Sequence, residues 1–169
     1  MQPESLDSRS AALQQIAEVI HRYSSAMDLR HWQLMDEVFV PEATVEMNGF
    51  LFARNREHAV AVIRAAIECC SITHHMNSNI ELLEFGATYA KVRNRFRAWH
   101  RGKAPRERLV FEALGTYDDE FVPTTQGWRI LHRSEHSPIE IGEPSATFFA
   151  DAMPVFATAM KPGTLAVQP

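Results

Sequence analysis

At 169 residues the chain can bury one proper core and is too short for two comfortable domains. Apolar residues make up 46%, which excludes a disordered chain, and the net charge of −4 disfavours nucleic acid as the main partner. No apolar run reaches about 18 residues, so no membrane span is expected. The two cysteines, Cys69 and Cys70, are adjacent, a spacing at which a disulfide is strained. No CxxC or other metal spacing occurs, so no metal is expected. Two reduced thiols, and a start (Met1-Gln2-Pro3-Glu4-Ser5) without the basic and apolar regions of a signal peptide, point to a cytoplasmic protein.

Residues 1 to 8 are polar. From Arg9 to Met27, Leu13, Ile16, Ala17, Ile20, Tyr23 and Met27 recur at helical spacing, with Ser8 or Ser10 as cap. At about 100° per residue they span an arc roughly 120° wide. Asp28 falls beside one edge of that arc and Tyr23 lies at the other. Asp28 can therefore look into the space the helix covers, or it can cap the next helix. Arg30 to Val40 reads as a second, shorter helix built on Trp32, Met35, Val38 and Phe39 and ended by Pro41. Thr44 to Phe52 reads as two short strands around Asn48-Gly49, a hairpin signal. Glu57 to Cys70 is predicted as a third helix on Ala59, Val60, Ile63, Ala66 and Ile67.

The hydrophobic period then changes from 3.6 to 2. Strands are expected near 73–85, 88–101, 107–121 and 127–141, joined at Gly86, at Gly102 with Pro105, and at Pro123 with Gly127. Such short connections make the sheet mostly antiparallel. Helices first and meandering strands second give an α+β class: a curved sheet wrapped around three N-terminal helices, with a concave pocket at its open end. Residues 1–141 form this domain. Residues 142–169, with four prolines, read as a C-terminal extension that either covers the pocket or an interface, or is only partly ordered.

The stretch with chemistry in it is Thr73-His74-His75-Met76-Asn77-Ser78-Asn79. Polar side chains inside an apolar domain cost stability unless paired. Asp28 is the partner proposed for His75, because a carboxylate that fixes one tautomer makes imidazole a better base. Parity complicates this: Ile80 and Leu82 share a face with His74, so a regular strand would turn His74 inward. Placing His75 inward requires a bulge between His75 and Ile80. On the next strand Ala90, Val92, Asn94, Phe96, Ala98 and His100 share one face, and Arg93, Arg95, Arg97 and Arg101 take the other, wet one. His100 either enters the pocket or satisfies a backbone carbonyl. Tyr117, Asp118 and Asp119 look catalytic in isolation. His132 and Arg133 could line a pocket or hold an interface.

Several pieces in their order, Tyr23-Ser-Ser-Ala-Met-Asp28 with Trp32, Thr73 to Asn79, Gly115-Thr-Tyr-Asp-Asp-Glu120 and Gly127-Trp-Arg-Ile-Leu-His-Arg133, give a resemblance over about residues 10 to 135. The chain resembles a SnoaL-like member of the nuclear-transport-factor-like superfamily, the group that includes scytalone dehydratase and ketosteroid isomerase. The resemblance implies a cone-shaped α+β barrel and a homodimer or homotrimer. Asp28 and His75 match the dehydratase aspartate and histidine, His100 matches a second pocket histidine, and Tyr23 matches a tyrosine of bile-acid-type dehydratases. Met27 stands where scytalone dehydratase has a tyrosine, and the first hairpin carries Met47, Phe50 and Phe52 instead of a tyrosine. These departures disfavour scytalone itself.

The expected function is a cofactor-independent acid/base enzyme, of dehydratase or isomerase type, acting on an apolar cyclic, polyketide- or steroid-like carbonyl compound. His75 would be the base, Asp28 its orienting partner, and His100 and Tyr23 acids or oxyanion donors. Ile20, Met47, Phe50, Met76, Asn94 and Phe96 would line the pocket. A non-catalytic ligand-binding or assembly module of the same fold, like the accessory subunits of aromatic-ring dioxygenases, and a polyketide cyclase are the alternatives.

Overall fold

The computed structural model describes residues 6–143, so the extension expected from 142 onward lies, beyond Glu143, outside the described residues. The first helix, α1 (Leu6–Asp28), buries Ile16, Val19, Ile20, Tyr23 and Met27 on one face. That stripe packs against the sheet, as the helical spacing requires. Arg30, just past its end, sits in the left-handed region at φ 59°, and its N–H bonds the carbonyl of Met27.

The second predicted helix is shorter than expected. Only Trp32–Glu37 coils, as a 3-10 turn, and Phe39 already belongs to the first strand, β1 (Phe39–Met47). The residue before a proline is pushed toward extended backbone, so Val40 favours a strand over a helix end. Pro41 lies inside the irregularity between Phe39 and Thr44, where its missing N–H removes no ladder bond. The turn to β2 (Phe50–Ala53) holds Asn48 at φ 49° and Gly49 at φ 83°, the signature of a tight hairpin. Helix α2 (Arg56–Glu68) is capped by Asn55, whose side chain accepts the His58 N–H at 2.8 Å. Asn55→Ala is expected to lower stability by about 1 kcal/mol in urea titration, since that N–H loses its partner.

The strands β3 (Cys70–Phe85), β4 (Ala90–Gly102), β5 (Val110–Thr124) and β6 (Gly127–Gly142) follow the predicted order. The sheet runs β2-β1-β6-β5-β4-β3, antiparallel throughout except for the parallel β1–β6 pair. It curves over the helices as an α+β cone, and its outermost strands β2 and β3 do not pair, so the barrel stays open. On β4 the even-numbered residues from Ala90 to His100 are buried, while Arg93, Arg95 and Arg97 face water. Arg93 binds Asp118 at 2.7 Å and Arg97 pairs with Glu112 on that wet face.

The register of β3 decides which histidine points inward. Ser78 stands opposite Arg95, but Glu81 stands opposite Arg93, so β3 carries one extra residue between them. Asn79 takes up the bulge at φ 50°, a conformation asparagine tolerates better than most residues. Thr73 and His75 therefore face the helices before the bulge, and Leu82 is buried after it. His74 is exposed.

Candidate active site

The end of α1 meets the start of β3 at Asp28. Its Oδ1 lies 2.7 Å from His75 Nδ1 and accepts the Thr73 hydroxyl at 2.8 Å; its Oδ2 accepts the His75 backbone N–H at 2.8 Å. Burial opposes ionisation of Asp28, but the hydrogen bonds from His75 and Thr73 outweigh it and hold the carboxyl below its usual value. An ionised Asp28 makes Nδ1 the protonated nitrogen of His75, which leaves Nε2 as the basic one.

Arg30 secures this corner. Its guanidinium donates to Thr73 Oγ1 at 2.8 Å, to the Met27 carbonyl at 2.5 Å and to the carbonyls of Ile67 and Cys70 at 3.3 and 3.2 Å. One side chain thus ties the ends of α1 and α2 to β3. Sequence reasoning missed Arg30, because nothing local announces a left-handed arginine. Thr73 was within reach, since it shares a strand face with His75 two residues on.

His75 opens onto a cavity of about 110 Å³ between the helices and the concave face of the sheet. Met47, Phe52, Phe96 and Phe111 supply apolar walls, and Tyr23, His100, Tyr117 and Glu135 supply polar groups. His100 stands edge-on to His75, ring centroids 5.3 Å apart. Its Nδ1 is 3.3 Å from the Phe111 carbonyl oxygen, an acceptor, so Nδ1 carries the proton. Burial, helped by the neighbouring His75, pushes the His100 pKa down to about 3. His100 is thus a neutral ring whose N–H is directed at the backbone, which does not suit the acid role expected of it. Tyr23 is buried against Phe39 and Tyr117, and burial raises its pKa against the opposing charge of Arg133.

The expected lining divides. Met47 and Phe96 border the cavity. Ile20 does not: it is wholly buried within the core stripe of α1. Phe50 is 66% exposed near the hairpin turn, and Met76, turned outward because His75 turns inward, borders a surface groove with Leu114 and Ile139. Asn94 faces the core below Phe96, fully buried and outside the lining. His132 bonds Thr44 Oγ1 at 2.7 Å. Asp118 serves the wet face, while Asp119 binds Arg133 through both oxygens at 2.7 Å in full burial. Arg133 in turn lies between the Tyr23 and Tyr117 rings, 4.2 and 4.1 Å from their centroids. Among the described residues no cluster suited to a metal ion occurs, and no helix is long and apolar enough to cross a membrane.

An open, curved, mostly antiparallel sheet with helices laid over its hollow is the fold of the nuclear-transport-factor-like superfamily. By sequence, this chain belongs to the SnoaL-like domain family, whose profile matches residues 8–134. The chain is similar to the uncharacterised Mycobacterium tuberculosis protein Rv2910c, 28% identical over 122 residues, 72% of this chain and 82% of that one. A candidate scytalone dehydratase from Novosphingobium aromaticivorans shares the fold at TM-score 0.74 and 24% identity, over 82% of this chain and 92% of that one. So does the hexachlorocyclohexane dehydrochlorinase LinA-type3 from Novosphingobium barchaimii, at TM-score 0.66 and 12% identity, over 80% and 90% of the two chains.

Proposed function

We propose that this chain is a cofactor-independent acid/base enzyme that removes a proton from carbon and then eliminates or isomerises, with His75 as base and Asp28 as its orienting partner. The observation that carries this is the 2.7 Å contact between His75 Nδ1 and Asp28 Oδ1 at the wall of an apolar cavity. A carboxylate behind Nδ1 keeps the basic nitrogen turned away from it and stabilises the imidazolium formed when a proton is taken. The fold neighbours named for dehydration and dehydrochlorination support the class, since both names describe loss of a leaving group from a carbon skeleton.

A cavity of about 110 Å³ is near the size that admits one benzene ring, so a single six-membered ring suits it better than a fused four-ring skeleton. The substrate class we favour is a small cyclic ketone or β-hydroxy ketone, of the kind found in polyketide chemistry. A pure assembly module would have no use for an open hollow beside the pair, so the cavity weighs against that alternative; a ligand-binding module would use it, and turnover in a substrate screen separates that one.

The test is a screen of cyclic ketones and β-hydroxy ketones for loss of water or double-bond migration. His75→Ala is expected to lower turnover by about 10³-fold or more with an unchanged circular dichroism spectrum. Turnover at the wild-type rate in a folded His75→Ala protein would remove the reading.

A further inference from the structure

Proton removal by His75 is half of an elimination. The leaving oxygen must also receive a proton, and neutral His100, with its N–H aimed at Phe111, is poorly placed to give one. The strand β6 offers another group. Arg133, Glu135 and Ser137 share its inward face, and Glu135 and Ser137 border the cavity. Glu135 is flanked in register by Tyr117 on β5 and Met47 on β1, both cavity residues. The residue is half-buried, and it borders the cavity.

Among the described residues its carboxyl makes no hydrogen bond, and the residue borders the cavity. The charged and titratable groups around it are Arg133 and Glu140 on its own strand, Tyr23 on α1, Tyr117 on β5, and His75 and His100 across the hollow. Arg133 is engaged by Asp119 through two hydrogen bonds. Burial, with Glu140 adding to it and Arg133 opposing, pushes the Glu135 acid up to about 7.

We propose that Glu135 is the proton donor of this site, the acid that completes the reaction whose base is His75; the proposal rests on the acid/base reading above. In dehydration of a β-hydroxy ketone, His75 Nε2 takes the proton from the carbon beside the carbonyl. The C–H electron pair becomes the new C=C bond. The C–O bond breaks, its electrons go to oxygen, and the Glu135 O–H proton joins it to release water. Imidazolium and carboxylate then return to their starting forms by losing one proton to solvent and gaining one from it. Among the described residues no lysine or arginine borders the cavity, so a neutral, hydrogen-bond-accepting substrate is favoured over an anion.

Acetophenone, one ring with one carbonyl, is the probe. Its affinity is measured calorimetrically between about pH 5.5 and about pH 8.5, and should fall roughly tenfold per pH unit once Glu135 is ionised, because only the acid can donate to the carbonyl. Glu135→Gln, whose amide donates at every pH, should bind with no such slope, and His75→Gln should keep the wild-type slope. Infrared spectra of the unliganded protein should show a protonated carboxyl band near the acid end that Glu135→Gln lacks. A missing band, a flat wild-type profile, no binding at either end, a slope that survives in Glu135→Gln, or one lost in His75→Gln would each overturn the proposal. Failure of the base assignment shows up elsewhere, as retained turnover in His75→Ala.

Discussion

Asp28→Asn is expected to lower turnover by about 10²- to 10⁴-fold while the protein stays folded. Asp28 accepts three hydrogen bonds, from the His75 ring, the His75 backbone N–H and the Thr73 hydroxyl. An asparagine has one oxygen for these three donors and brings an NH2 group of its own. If its NH2 faces the ring, His75 must switch to the other tautomer and Nε2 ceases to be basic. If its NH2 faces the backbone instead, two donors meet and the corner held by Arg30 is strained. Steady-state kinetics on any substrate the screen yields would measure the loss, and a variant within about threefold of wild type would show that the carboxylate does not set the tautomer.

The same substitution has a pH signature in stability. Asp28 has a folded-state pKa below its unfolded value, so its contribution is present above about pH 4 and is lost as pH falls through the folded value. Wild type should exceed Asp28→Asn by about 1–3 kcal/mol near neutrality, and the gap should close in acid. Urea titrations at several pH values would measure it. A gap that widened toward acid would contradict the assignment.

Asp119→Ala is expected to cost about 3–5 kcal/mol, the largest loss of stability from a single site here. Asp119 and Arg133 are joined by two 2.7 Å hydrogen bonds with side-chain exposures of 0% and 1%. Removing the carboxylate strands a guanidinium between two tyrosine rings with no water to solvate it. The double variant Asp119→Leu with Arg133→Met should regain most of the loss, because the cost is that of an unpaired buried charge. Chemical denaturation of the two proteins separates these outcomes. A loss under about 1 kcal/mol for Asp119→Ala would mean that water reaches the pair.

The periodicities of the chain are what made the fold legible. Leu13 to Met27 at helical spacing, the alternation from Ala90 to His100 and the Asn48-Gly49 turn each reflect a local rule, and each element formed close to where the sequence put it. The Arg30–Val40 helix did not, because pairing of Phe39 with Ile130, 91 residues later by 130 − 39, competed with local coiling. The candidate site was half legible. Asp28, His75, Met47 and Phe96 could be selected by arc and parity, with one bulge assumed. Ile20 and Phe50 were misplaced because amphipathic patterns separate buried from exposed positions and do not say which buried positions face a hollow.

Sequence alone determined the elements, the α+β order and the residue types able to move a proton, since these depend on neighbours within one or two turns of chain. Tertiary structure decided the rest. The extra residue at Asn79 turned His75 inward, the Arg30 side chain brought α1, α2 and β3 to one corner, and the parallel seam of β1 with β6 set Glu135 beside Met47 at the cavity. Those outcomes depend on register and on contacts between distant segments, which carry no local pattern to read.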